Sequence, residues 1–361
     1  MMYRPSYAEI NLGVIRDNYR LSSQLAPGSR HLAVIKANAY GHGAEQVAKT
    51  LEDIAPAFAV AFTDEALSLR KAGIRAPILI LEGCFGSQEL TIAAKNNFWV
   101  MLHSTEQVGM LEKTHLPSPV HCWLKIDTGM HRLGIDPLQV TAILQRLQSS
   151  GKLSHKPVLA SHMANAEEIS CPVNQKQIEQ LKLLGQSTDH PLSLANSAAL
   201  MQLPDSHSDW NRPGIMLYGC SPLTEKSEQI GLRPAMAVYS QIMAIRELQK
   251  GDAVGYGGHW RADQPGRIAT LAIGYGDGYP RSTDSQCEVF LHGQRARVIG
   301  SVSMDMLGVD ISHLPQAKVG DKVEIWGKNL PITELASRVN TLSYELLTRV
   351  NQRLPRQFIE E

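Results

Sequence analysis

The run Ala33-Val34-Ile35-Lys36 is apolar until its last residue, and Ala37-Asn38-Ala39-Tyr40-Gly41-His42-Gly43 follows as a small, polar, glycine-bearing turn. A strand that ends this way carries one ammonium to the mouth of a loop. Desolvation there lowers the pKa of a lysine and frees its amine to act as nucleophile or base. The plain alternative is a lysine that snorkels from a strand end. Cys84, Cys122, Cys171, Cys220 and Cys287 form no C-x-x-C pair, so the spacing indicates neither a zinc knuckle nor a disulfide framework, and no metal site is expected.

The elements around Lys36 follow a rhythm. Tyr7–Ile10 reads as a short strand, and residues 12–25 carry apolar positions at helical spacing until Pro27-Gly28. Strand candidates then recur at residues 31–36, 57–61, 77–81, 98–102, 120–126, 157–162, 191–195 and 214–218, with helical patterns between most of them. Residues 63–72 form the clearest helix, with Thr63 as N-cap and Gly73 as stop. Eight strands alternating with helices fit a parallel (β/α)8 barrel over residues 12–232, and a doubly wound open sheet is the competing arrangement. After Arg233 the helical period fades. Short strand-like runs and turns such as Lys250-Gly251-Asp252 and His292-Gly293 indicate an all-β domain over 233–361, with short helices at 332–339 and from Ser343. Residues 1–11 are expected to pack with that domain.

At 361 residues, two domains are expected. The chain is 43% hydrophobic and 19% charged with a formal net charge of zero, which fits a globular protein and gives no basic field for nucleic acid or membrane surfaces. Residues 1–10 lack an apolar core for a signal peptide, and isolated thiols suit a reducing compartment, so a cytoplasmic location is expected.

The eleven residues from Ala33 to Gly43 closely resemble the cofactor-lysine segment of the alanine racemases, fold-type III enzymes that bind pyridoxal phosphate (PLP). Further matches occur in the same order, at residues 124–134, 161–164, 212–215, 254–260, 303–305 and 343–345. The resemblance implies PLP as cofactor, Lys36 as its anchor, and alanine as substrate. It implies that Tyr40, Ser197, Gly214, Ile215 and Tyr344 meet the phosphate. Phosphates favour such backbone donors and helix starts late in a barrel, although Ser197 alone would read as a helix cap.

Arg212 is the residue that meets the PLP ring nitrogen in the family. A guanidinium stays protonated, so the ring nitrogen does not hold a proton strongly; this weakens the electron sink and disfavours transamination. The resemblance makes Tyr256 the second base, opposite Lys36, and its phenol needs activation because a free phenol has a pKa of about 10. The resemblance supplies a relay Tyr256–His162–Arg212; alone, His162 would read as a core histidine. It further implies that Arg132, Met304, Asp305 and Tyr275 contact substrate or its entry path, and that Lys125 is a candidate for N-carboxylation. The family's head-to-tail homodimer, with composite sites, is expected here. The supply of D-alanine for peptidoglycan or D-alanine catabolism would be the role. A broad-specificity racemase of the same fold is the near alternative, and a PLP decarboxylase or a PLP-binding regulator are more distant ones.

Overall fold

The computed structural model describes residues 4–223, 230–281 and 286–361, which divide into two compact units. The larger comprises Ile15–Ala39 and Gly43–Arg233. Its strands Arg30–Val34, Ala57–Val60, Ile78–Ile80, Phe98–Leu102, Cys122–Lys125, Val158–Ala160, Leu192–Ser193 and Trp210–Asn211 close into a barrel. All neighbours pair in parallel, and the closing pair sets Arg30 opposite Trp210 and His31 opposite Asn211. Closure excludes the open-sheet alternative. The strands are short and nearly all buried, as expected where helices cover the outside and side chains fill the inside. Trp99, Trp123 and Trp210 meet at ring-centroid distances of 5.5 to 6.3 Å.

One strand expectation fails, with consequences for the site. Residues 214–218 are not the eighth strand; Ile215–Tyr218 is a 3-10 turn, and the strand is Trp210–Asn211. The apolar run Ile-Met-Leu-Tyr is buried although it forms no strand, and Tyr218 reaches back to donate to the Val34 carbonyl at 3.0 Å. Arg212 therefore follows the last barrel strand instead of preceding it, which puts it at the carboxyl ends of the strands. The helix at Thr63–Lys71 is also entered one residue earlier than expected, with Phe62 as its N-cap.

The second unit comprises the N-terminal segment through Val14, Tyr40–His42 and Pro234–Glu361. Its main sheet has eight strands, built around the long strand Met236–Leu248. Tyr7–Asn11 pairs antiparallel with that strand and parallel with Arg356–Ile359. A further pairing of Gly266–Leu271 with Met236–Leu248 closes the sheet on itself, and the helices Ile332–Arg338 and Ser343–Arg349 come between the strands Lys322–Trp326 and Arg356–Ile359 in sequence. Among the described residues no helix is long and apolar enough to cross a membrane.

Candidate active site

Lys36 lies two residues beyond the strand Arg30–Val34, and the chain then does something the sequence does not advertise. Ala37, Asn38, Ala39 and Tyr40 all adopt positive φ, between 51° and 54°. A left-handed turn of non-glycine residues costs about 1–2 kcal/mol per residue, so surrounding bonds must hold it. In the barrel unit, Glu65 accepts from the Ala37 N–H at 2.7 Å and from the Ala61 N–H at 2.7 Å. Asn38 accepts from the Ala44 N–H at 2.9 Å. Lys36 itself forms no ion pair among the described residues, so its ammonium is left available.

Arg212 is buried, and its partners among the described residues are all neutral: Ser193 Oγ, the carbonyls of Ser161 and Leu194, and Nδ1 of His162 at 3.3 Å. Burial lowers its pKa to about 10. His162 lies well below its ordinary pKa through burial first, then through the charges of Arg212, Lys125, Arg132 and Lys36. The imidazole is therefore neutral near pH 7. Because a guanidinium can only donate, Nδ1 accepts, and the ring proton sits on Nε2.

Lys125 ends the strand Cys122–Lys125, and burial, Arg212 and Arg132 lower its pKa to about 8, against a counteracting Glu82. Arg132 stands on the next loop and has no hydrogen bond or ion pair among the described residues. That loop is shaped by Asp127, whose carboxylate accepts from the N–H groups of Gly129 and His131, each at 3.0 Å. Its end packs so closely that a Cβ on Gly134 would come within 2.4 Å of the Asp127 nitrogen.

On the same barrel face, Asn196 caps the helix Ser197–Gln202 by accepting from the Ala199 N–H. Ser197 Oγ accepts from the Gly214 N–H at 2.9 Å, which leaves its own hydroxyl hydrogen to donate elsewhere. The Ile215 N–H has no acceptor among the described residues. Ser197, Gly214 and Ile215 thus form a small buried donor cradle.

The donor set fits PLP. It offers a free amine at Lys36, outward donors at Ser197 and Ile215 for a phosphate, and an uncompensated buried guanidinium at Arg212. The charges of Lys36, Lys125, Arg132 and Arg212 all bear on His162, and those of Arg212, Arg132 and Lys36 bear on Lys125 against a single counteracting carboxylate, Glu82. Such a field suits a small ligand with phosphate and carboxylate groups. No group of three or more metal-ligating side chains occurs among the described residues.

The other expected residues lie in the β unit and are described within it. Tyr256 sits in a glycine-rich turn and is 74% exposed. It borders a cleft of about 490 Å³ with Val254, Ile268, Ile299, Met306 and Leu307. Two turns carrying Tyr275 and Met304-Asp305 are zipped together: the Tyr275 N–H donates to Ser303 O at 3.0 Å, and the Gly276 N–H to Met304 O at 2.8 Å. Arg353 fastens them, donating to Asp305 and to the buried Asp277, which also receives Arg4 and the Gly274 N–H. Tyr40 and Tyr344 face each other at 6.1 Å between ring centroids. Gly41 lies under the helix Ser343–Arg349, where a Cβ would collide with Leu347 O at 2.1 Å.

Sequence reasoning missed Glu65, Asp277 and Arg353, as well as Gln177, which is buried on the helix Pro172–Thr188. Only Asp277 carried a signal, since it lies inside the glycine-tyrosine run 274–279.

Comparison with known proteins agrees with this arrangement. Residues 10–222 match the family model "Alanine racemase, N-terminal domain", and 235–358 match "Alanine racemase, C-terminal domain". An alanine racemase of Chromohalobacter salexigens is 45% identical over 99% of this chain and 98% of its own. A biosynthetic alanine racemase of Pseudomonas aeruginosa is 45% identical (98% and 99% covered), and a catabolic one of Pseudomonas putida is 43% identical (99% and 100%). The crystal structure of the biosynthetic Pseudomonas aeruginosa enzyme superposes with a TM-score of 0.95 at 44% identity, covering 99% of this chain and 100% of that one. With both domain models matched in order and full-length relatives at this identity, the chain belongs to the alanine racemase family.

Proposed function

We propose that the protein interconverts L- and D-alanine with Lys36 and Tyr256 as the two bases, each serving one face of the substrate Cα. The family is PLP-dependent. PLP, when bound, supplies an electron sink that acidifies the Cα–H of the amino acid. Lys36 anchors the cofactor, and Ser197, Ile215, Tyr40 and Tyr344 receive its phosphate, with the Gly214 N–H holding the Ser197 hydroxyl in place. Arg212 faces the ring nitrogen as a permanent cation, which restrains the sink and keeps turnover on racemisation. Arg132 and the Met304-Asp305 turn orient the substrate carboxylate, and Tyr275 lines the approach. Lys36 Nζ holds or returns the proton on one face, and Tyr256 Oη does so on the other.

The observation that carries the reading is Arg212, a buried guanidinium with neutral partners only, bonded to a neutral His162 in a field that also contains Lys36. His162 with its proton on Nε2 is a donor suited to stabilising the phenolate of Tyr256.

An exposed Tyr256 cannot exclude water from a proton transfer. We therefore propose a head-to-tail homodimer in which each β domain completes the partner's barrel mouth. None of the five cysteines forms a disulfide, and four of them are buried, which supports a cytoplasmic location. The test is borohydride reduction of the PLP-loaded enzyme followed by peptide mapping. The cofactor should be fixed on Lys36; recovery on any other lysine overturns the assignment.

A further inference from the structure

Gln177 is fully buried on the helix Pro172–Thr188, in the helix's second turn, and its amide makes three hydrogen bonds. Oε1 accepts from the Ala164 N–H at 2.9 Å, while Nε2 donates to His162 O at 2.9 Å and to Thr128 Oγ1 at 3.1 Å. Beyond Thr128 the chain continues to Ser161 Oγ at 2.7 Å and from there to Ile126 O at 2.8 Å. The direction of every proton follows by elimination. A carbonyl only accepts, so Ser161 donates to Ile126. An amide nitrogen only donates, so Thr128 accepts from Gln177 and must pass its own hydrogen to Ser161. The result is a directed chain, Gln177 to Thr128 to Ser161 to Ile126, with every member satisfied and mutually polarised.

The groups at its ends matter. Thr128 opens the loop that carries Arg132. Ser161 and His162 belong to the loop whose Ser161 carbonyl and His162 ring both receive Arg212. We propose that Gln177 is a positioning residue that clamps the Arg132 loop to the His162 loop and so fixes the His162 ring against Arg212 with Nδ1 as acceptor. This deepens the racemase reading and rests on it for what His162 and Arg132 do. Burial first, and then the charges of Arg212, Lys125, Arg132 and Lys36, disfavour a proton on His162; Arg212 and Arg132 remain when Lys36 is taken up by PLP, and the ring stays neutral while it is held buried beside them. Loosening the clamp lets the ring take up water and a proton.

The test is NMR of PLP-loaded enzyme labelled with 13C,15N-histidine, with the His162 signal assigned by its loss in His162→Asn. Wild type should keep a neutral, Nε2-protonated ring from about pH 8 down to about pH 5, below the ordinary histidine range. In Gln177→Met the ring should titrate, with its midpoint raised by about one pH unit or more. Thr128→Val, which keeps the shape and breaks the chain, should do the same, whereas Thr128→Ser should behave as wild type. A folded Gln177→Met whose His162 signal matches wild type overturns the proposal. If that variant does not fold, Thr128→Val decides: a wild-type signal there overturns it. Failure of the racemase reading is seen separately, as absence of α-proton exchange from alanine by the wild-type enzyme.

Discussion

Arg212 Nη2 lies 3.3 Å from His162 Nδ1, and this contact fixes the state of both groups. The guanidinium gains a neutral acceptor in place of a carboxylate, and the imidazole is barred from protonating on that nitrogen. A cation that no anion compensates is the feature expected of an arginine reserved for a ligand atom.

Arg212→Glu should slow racemisation by roughly two to three orders of magnitude, the effect of losing one preorganised donor. A carboxylate would also favour a protonated ring nitrogen and a stronger electron sink, so half-transamination should release up to about one pyruvate per site as the amino group passes to the cofactor. Rates and product ratios unchanged from wild type, in a variant with a wild-type circular dichroism spectrum, would mean that Arg212 does not meet the ring.

The strand rhythm made the barrel legible, because eight apolar runs alternating with helices have few other solutions. Its last strand was not legible: Trp210–Asn211 is too short to show a period, while the longer apolar run at 215–218 is a buried turn. The left-handed turn after Lys36 was hidden for another reason. Only Gly41 and Gly43 hint at positive φ, yet the strained residues are alanines, an asparagine and a tyrosine held by the distant Glu65. The charged and aromatic site residues could be named from motifs, but Gln177 sits in an ordinary polar helix, and nothing local marks its bonds to two loops.

Stability should fall as pH drops below about 6.5. Burial lowers the pKa of His31, His121, His162 and His207. The unfolded chain takes up protons near its ordinary histidine pKa, and the folded chain resists until lower pH, about 4 for His121. The stability is thus complete above the unfolded value and is lost as pH falls toward the folded one. Urea unfolding at pH 7 and pH 5 measures it. His121→Phe keeps an aromatic stack on Trp99 and should reduce the difference by up to roughly 1 kcal/mol, allowing for partial exposure; an undiminished difference would exclude His121.

Lys125, with a pKa of about 8, carries an appreciable neutral fraction near neutrality. Its amine can add carbon dioxide, forming an N–C bond and releasing one proton, and the new carboxylate would sit beside Arg132. Enzyme equilibrated with 13C-bicarbonate should give a carbamate signal that Lys125→Ala lacks, and acetate should restore part of that variant's lost activity. No signal and no loss in Lys125→Ala would show that the lysine acts unmodified or not at all.

The proposed composite sites predict complementation. Lys36→Ala and Tyr256→Phe should each be nearly inactive, while a mixture allowed to exchange subunits should regain about a quarter of the wild-type sites under random pairing. A mixture that stays inactive after proven exchange would put both residues of a site in one chain.

The two-base assignment is tested most directly by α-proton exchange in deuterium oxide, followed separately from L- and D-alanine. Wild type should exchange both. Tyr256→Phe should lose most exchange from L-alanine and keep part of that from D-alanine, because Lys36 still serves its own face. Equal loss from the two antipodes would contradict the assignment.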